Sequence, residues 1–192
     1  MVEKGQDTLG SGLVLEEYLP LSCVVQNTPL DPQRIISLQN ANERVLNTVI
    51  AVEDSRADVA EEHAGMANEL QRMEFKLNLV LDLVSQVLLH SLPLPPRTAV
   101  RLGADRIEWG TKTAPTVGQA VIVELYLNTR FPRPVALPAR VTGVDPRPQG
   151  AWVVAHFEQL GDVVTDIVEK LIFRSHRRRI ASTKQRGGTT SS

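Results

Sequence analysis

"RTAVRLGADRIEWG", Arg97 to Gly110, carries two readings at once. "TAVRL" and "DRIEW" both alternate apolar and polar residues, the period of a strand with one buried face, and "GA" between them reads as a turn. The same stretch also spells Arg-x-x-x-Arg (Arg97, Arg101), followed by Asp105 and Gly110, which could suggest a clamp for a phosphate or a guanine. On a strand, however, Arg97 and Arg101 share a face but stand roughly 13 Å apart. They cannot fold back over their own strand. Strand–turn–strand is therefore the reading that decides the fold.

Working outward, "AVIVELYL", "VALPARVTGV" and "AWVVAHFEQL" follow at short intervals with Pro and Gly between them. Five or so short strands at this spacing predict a small antiparallel β-barrel. The helix "DVVTDIVEKLIFRSHRRRI" comes next, with Val163, Val164, Ile167, Val168, Leu171 and Ile172 on an apolar face that would seal the barrel.

Upstream, "PLPPR" (Pro93, Pro95, Pro96) ends a long helix that begins at "TPLDPQ". Asp31 suits the cap, and Pro32 suits the first helical position, where its missing N–H costs nothing. With Ile35 at heptad position a, the a positions are Ile35, Asn42, Val49, Arg56, His63, Leu70, Leu77 and Val84. The d positions are Leu38, Val45, Val52, Val59, Met66, Met73, Val80 and Val87. Only Asn42, Arg56 and His63 are not apolar, and the 3-4 spacing never slips. A repeat this long predicts a coiled coil. The helix would run roughly 80 Å, too far for one small chain to cover, so other copies must cover the seam.

Apolar residues also widen the stripe at Ala41, Leu46, Ala60, Ala67, Leu81, Leu83 and Leu88, and Leu70 and Leu77 at a stand with Val80 and Val87 at d. Both features favour a tetramer over a dimer, with helix direction left open. Asn42 would pair with itself across the bundle and fix register. Arg56 and His63 lie among Glu53, Asp54, Asp58, Glu61 and Glu62, which reads as a salt-bridged waist, with His63 as a pH sensor the sharper alternative.

The expected fold class is thus α+β: a small antiparallel barrel with a C-terminal helix, preceded by a long coiled-coil helix. Its parts are a leader with a short apolar segment (1–31), the heptad helix (32–92), the barrel with its closing helix (93–180) and a disordered basic, Gly/Ser/Thr-rich tail (181–192).

Composition narrows the function. A formal net charge of −1 provides no global basic field for nucleic acid or an anionic membrane. Aromatics make up 4%, too few for a rich base-stacking surface. The single Cys23 excludes an internal disulfide and any multi-cysteine metal site, and it reads as a small buried hydrophobe. His90, His156 and His176 have no metal-ligand spacing. No signal-peptide core appears at "MVEKGQDTLGSG", and no run reaches the length of a membrane helix. The expectation is a cytoplasmic protein, not an enzyme, with no metal, no membrane insertion and no nucleic-acid partner. A nucleic-acid scaffold using the basic tails remains an alternative against which the near-neutral charge counts.

In order and in local phrases, residues 94–180 resemble the PilZ domain, a family of bacterial cyclic di-GMP receptors and their relatives. "TVGQAVIVELYL" is similar to the family's strand after a Gly turn. "ARVTGVDPRPQGAWVVAHFEQL" is similar to its hairpin, ending in Phe157, and "VVTDIVEKLIFRSHRRRI" is similar to its closing helix. The long heptad helix and the leader "EEYLPLSC" resemble the atypical, tetrameric subgroup. The resemblance implies bacterial signalling in motility, pilus or virulence pathways.

The family's ligand signatures are an Arg-x-x-x-Arg ahead of the barrel and an Asp/Asn-x-Ser-x-x-Gly at the first strand pair. Guanidinium forks suit phosphates and guanine edges, while small Ser and Gly leave room for a base. Aligning "VRLGADRIEW" by shape puts Arg101 at the Asp/Asn position, Gly103 at Ser and Arg106 at Gly. All three depart from the signature. The other register, Asp105-x-Ile107-x-x-Gly110, lacks the serine and places a strand where the turn belongs. "SQVLLHSLPLPP", taken as the segment before the barrel, contains no arginine.

Cyclic di-GMP binding is therefore expected to be lost, with Arg101, Gly103 and Arg106 as the residual candidates and no cofactor expected. The reading is a self-assembling adaptor with a degenerate site whose protein partner the sequence does not name. The rival is a working receptor using non-standard arginines such as Arg101, Arg106 or Arg177–Arg179.

Overall fold

The computed structural model describes residues 13–54, 94–128 and 133–187, with helical residues at 70, 72–73, 75–77, 79–80, 83–84 and 87. Six strands form a closed antiparallel barrel: β1 (Leu15–Gln26), β2 (Arg97–Leu102), β3 (Arg106–Thr111), β4 (Ala120–Leu125), β5 (Val135–Arg147) and β6 (Gly150–Phe157). Their order around the barrel is β1-β2-β3-β6-β5-β4. Inward positions alternate as the sequence requires: Val100, Leu102, Ile107, Trp109, Val153 and Ala155 all enter one apolar core.

The first strand corrects the expected leader. Residues 15–26 close the barrel: Leu15–Pro20 pair with β2 and Leu21–Gln26 pair with β4. One strand thus serves two neighbours in succession and leaves no open edge at the seam. "LVLEEYLPLSCVV" hid this role because Pro20 interrupts it and its partners begin more than 70 residues further on. The residues just before β2 therefore follow the barrel's first strand rather than precede the barrel.

Helix α1 (Pro32–Asp54) begins where Asp31 Oδ1 accepts the Arg34 N–H at 2.8 Å. Its buried residues are Asn42, Val45, Leu46 and Val49, spaced i, i+3, i+4, i+7. The apolar three join the barrel's own core. Asn42, Val45 and Val49 were expected in a seam between copies; they face this chain's β5 and core instead. Asn42 does not pair with itself: its Nδ2 donates to Ala136 O at 2.7 Å, and its Oδ1 accepts the Ala136 N–H at 2.8 Å. The cause is a gap in the sheet. β6 ends at Phe157 opposite Ala139, so the preceding residues of β5 have no strand on that side. One amide side chain replaces the missing backbone partner.

Ile35 and Leu38 are half-buried on the same helix. The Val52 side chain and the residues Arg56, Val59, His63 and Met66 lie outside what the structure describes. Leu70, Met73, Leu77, Val80, Val84 and Val87 are helical and at least half exposed, as are Phe75, Leu79 and Leu83.

Helix α2 (Asp162–Gly187) buries Val164, Val168, Leu171 and Ile172 against the barrel, while Val163 is exposed. Seven residues expected in the disordered tail, 181–187, belong to this helix. No proline interrupts them, and Ala, Lys, Gln and Arg propagate a helix until the Gly187-Gly188 pair. Residues 188–192 lie outside the described structure.

Candidate functional site

The β2–β3 hairpin positions the residues that the sequence singles out. Arg101 is the penultimate residue of β2, Gly103 lies in the turn with its N–H donating to Arg106 O at 2.9 Å, and Arg106 opens β3. Ile107 and Trp109 point into the core, so the pleat sends Arg106, Glu108 and Gly110 to the outer face. There Glu108 pairs across the ladder with Arg101. It is fully buried, and it is the acid that organises the site.

Glu108 Oε2 stands 4.0 Å from Arg101 Nη1 and accepts the Trp152 indole N–H at 3.0 Å, while Oε1 stands 3.8 Å from Arg106 Nε. A carboxylate removed from water needs compensating charge and hydrogen bonds, and two guanidiniums and an indole supply them. Arg101 also meets Glu16 of β1 at 3.0 Å, and Glu16 meets Arg179 of α2 at 3.6 Å. The side chains of Arg101 and Arg106 are thus turned toward the chain's own acids.

The structure does not bring the two members of the Arg-x-x-x-Arg pair together. Arg97 donates its Nε to Tyr18 O at 3.0 Å, at the far end of β2 from Arg101's acids. Asp105 and Gly110 also separate: Asp105 lies 3.7 Å from His156 in the turn, whereas Gly110 packs between Thr98 and Trp152. Ile107, the middle of the alternative register, is core. Arg177 stacks on Phe173 at 6.0 Å. A groove of about 960 Å³ runs beside the hairpin turn and α2, lined by Gly103, Asp105, Arg106 and Phe173 among others.

Sequence reasoning missed Glu16, Glu108 and Trp152, and named Arg179 only within the Arg177–Arg179 cluster. The signal for Glu108 was present: an acid between two inward residues, opposite Arg101 across the hairpin and two residues beyond Arg106 on its own strand. Cys23 opposes Val123 in the β1–β4 ladder, and burial pushes its thiol up to about 11, away from nucleophilic or ligating chemistry. Among the described residues no group of acids, histidines and cysteines could hold a metal ion, and no helix is long and apolar enough to cross a membrane.

Residues 46–185 match the family of the atypical PilZ domain, cyclic di-GMP receptor. The chain belongs to the atypical PilZ family. Its fold is similar to that of a solved protein from Xanthomonas campestris, with 27% identity and a TM-score of 0.73 over 90% of this chain and 93% of that one. That protein is described as pathogenic, with a new tetrameric PilZ domain self-assembled via an unusual helical bundle. A Bacillus subtilis inhibitor of motility matches 43% of this chain and 42% of its own, at 14% identity and a TM-score of 0.36, too slight a likeness to carry an argument. No curated protein matches the chain.

Arg101, Gly103 and Arg106, the three residues aligned by shape with the second signature, stand together at the β2–β3 turn.

Proposed function

We propose that this atypical PilZ chain is a non-enzymatic, self-assembling adaptor in bacterial signalling, in which the cyclic di-GMP site is degenerate. The observation that carries the reading is Glu108, buried within 4.0 Å of Arg101 and 3.8 Å of Arg106. The positive charge at the signature positions is spent on an internal acid, and an arginine occupies the place where a small residue would admit a base.

Self-assembly is supported by the exposed apolar residues from Leu70 to Val87, which in water need a covering surface. The helical bundle of the Xanthomonas campestris tetramer is one such cover. Joined barrels would raise a modest affinity for a protein partner by avidity. The setting for this role is the cytoplasm.

Calorimetry with cyclic di-GMP at tens of micromolar tests the degenerate site. The expected result is no saturable heat, and micromolar binding would overturn the reading. The groove beside Gly103 and Arg106 favours the rival, a receptor using non-standard arginines. Under that rival, the titration saturates and Arg106→Ala abolishes it.

A further inference from the structure

The ion pairs of the outer face form one alternating chain. It runs from Arg106 to Glu108 (3.8 Å), to Arg101 (4.0 Å), to Glu16 (3.0 Å) and on to Arg179 (3.6 Å). Each carboxylate uses one oxygen for each of two guanidiniums. That is the bridging geometry a phosphate adopts between arginines.

The two acids differ in accessibility. Glu108 is fully buried, whereas the Glu16 side chain is 44% exposed. Glu16 also lines a cleft of about 410 Å³ between β1 and α2, whose other wall carries His176, Arg178 and Arg179. An exposed ion pair is held weakly against water, so the Glu16 carboxylate can leave without opening the core. A phosphate taking the place of the Glu16 carboxylate would then bridge Arg101, which stands behind the cleft 3.0 Å from that carboxylate, and Arg179, with Arg178 on the cleft wall. Glu17 lines the same cleft and opposes any anion, a cost that the surrounding cations must exceed.

We infer that this cleft is a phosphate-binding site kept closed by the chain's own Glu16, an internal carboxylate standing where a ligand's phosphate would bind. The inference rests on the reading that the arginines near the hairpin are neutralised from within. It adds which acid is displaceable and what chemistry would displace it: a phosphate or pyrophosphate group bearing more charge than one carboxylate.

The test compares the full-length protein with Glu16→Gln and with Glu16→Gln/Arg179→Ala, titrated calorimetrically with inorganic pyrophosphate at constant ionic strength. Glutamine keeps the shape of Glu16 and removes its charge. The expected result is binding about ten-fold tighter in Glu16→Gln than in the unaltered protein, lost again when Arg179 is removed. Equal affinity in the unaltered protein and Glu16→Gln, or a gain that survives Arg179→Ala, overturns the inference. Arg179 is the partner chosen because its side chain is 64% exposed and has no place in the core. A parallel titration of the unaltered protein with cyclic di-GMP keeps the two claims apart: micromolar binding there defeats the degenerate-site reading, while the pyrophosphate comparison alone decides this one.

Discussion

Glu108 and Cys23 show how far a strand pattern reaches at the scale of the residue. Alternation in "DRIEW" places Ile107 and Trp109 inward, and with them the side of the sheet to which Glu108 belongs. It does not state that this outer position is covered, because the cover comes from Trp152, Arg101 and Arg106 on three strands. Cys23, expected as a buried hydrophobe, is half-buried against the core, and that burial raises its thiol to about 11. A raised thiol pKa keeps the neutral form, so at pH 8 the folded protein presents roughly a hundredth of the thiolate that the unfolded chain presents. Alkylation by iodoacetamide at pH 8 should accordingly be about a hundred-fold slower in the folded protein than in urea, and should rise about ten-fold per pH unit until it levels off near pH 11. Equal rates with and without urea would contradict the burial of this thiol.

At the scale of the element, α1 is instructive because part of its apolar stripe, expected in a seam between copies, packs on this chain's own core. Asn42, Val45, Leu46 and Val49 form the narrow stripe of a helix packed on a globular core, and over two turns a heptad stripe has the same spacing. Only the neighbour differs, and the neighbour of Asn42 is Ala136, 94 residues along the chain. This element predicts opposite results under the two assignments. In a coiled-coil seam, Asn42→Leu gains stability, since a buried polar a residue costs it. Against β5 the same change removes two hydrogen bonds and leaves the Ala136 N–H and C=O unpaired, a loss of about 2–4 kcal/mol. Urea unfolding followed by tryptophan fluorescence reads the sign directly; a more stable variant would return Asn42 to the seam. Helix α2 taught a smaller lesson, since its basic composition suggested a tail while its lack of breakers carried it on to Gly187.

For the whole molecule, the barrel and its closing helix were readable from period-2 runs, turns and one amphipathic helix, all of which are local signals. The closing strand was not, because β1 is separated from β2 and β4 by the entire helical segment, and loop closure of that length leaves no trace in local pattern. The same separation obscured the site, since Glu16 and Arg179 reach Arg101 only once the barrel is closed and α2 is laid across it. What the closed barrel does not cover are the described helical residues Leu70, Met73, Phe75, Leu77, Leu79, Val80, Leu83, Val84 and Val87, which stay at least half exposed in the single chain. The account therefore stands or falls on a second surface for that stretch, which it assigns to copies of the same chain. Multi-angle light scattering of the unaltered protein at micromolar concentration measures this most directly. The account predicts a species of about four times the 21.2 kDa chain mass. A particle of one chain mass would contradict it.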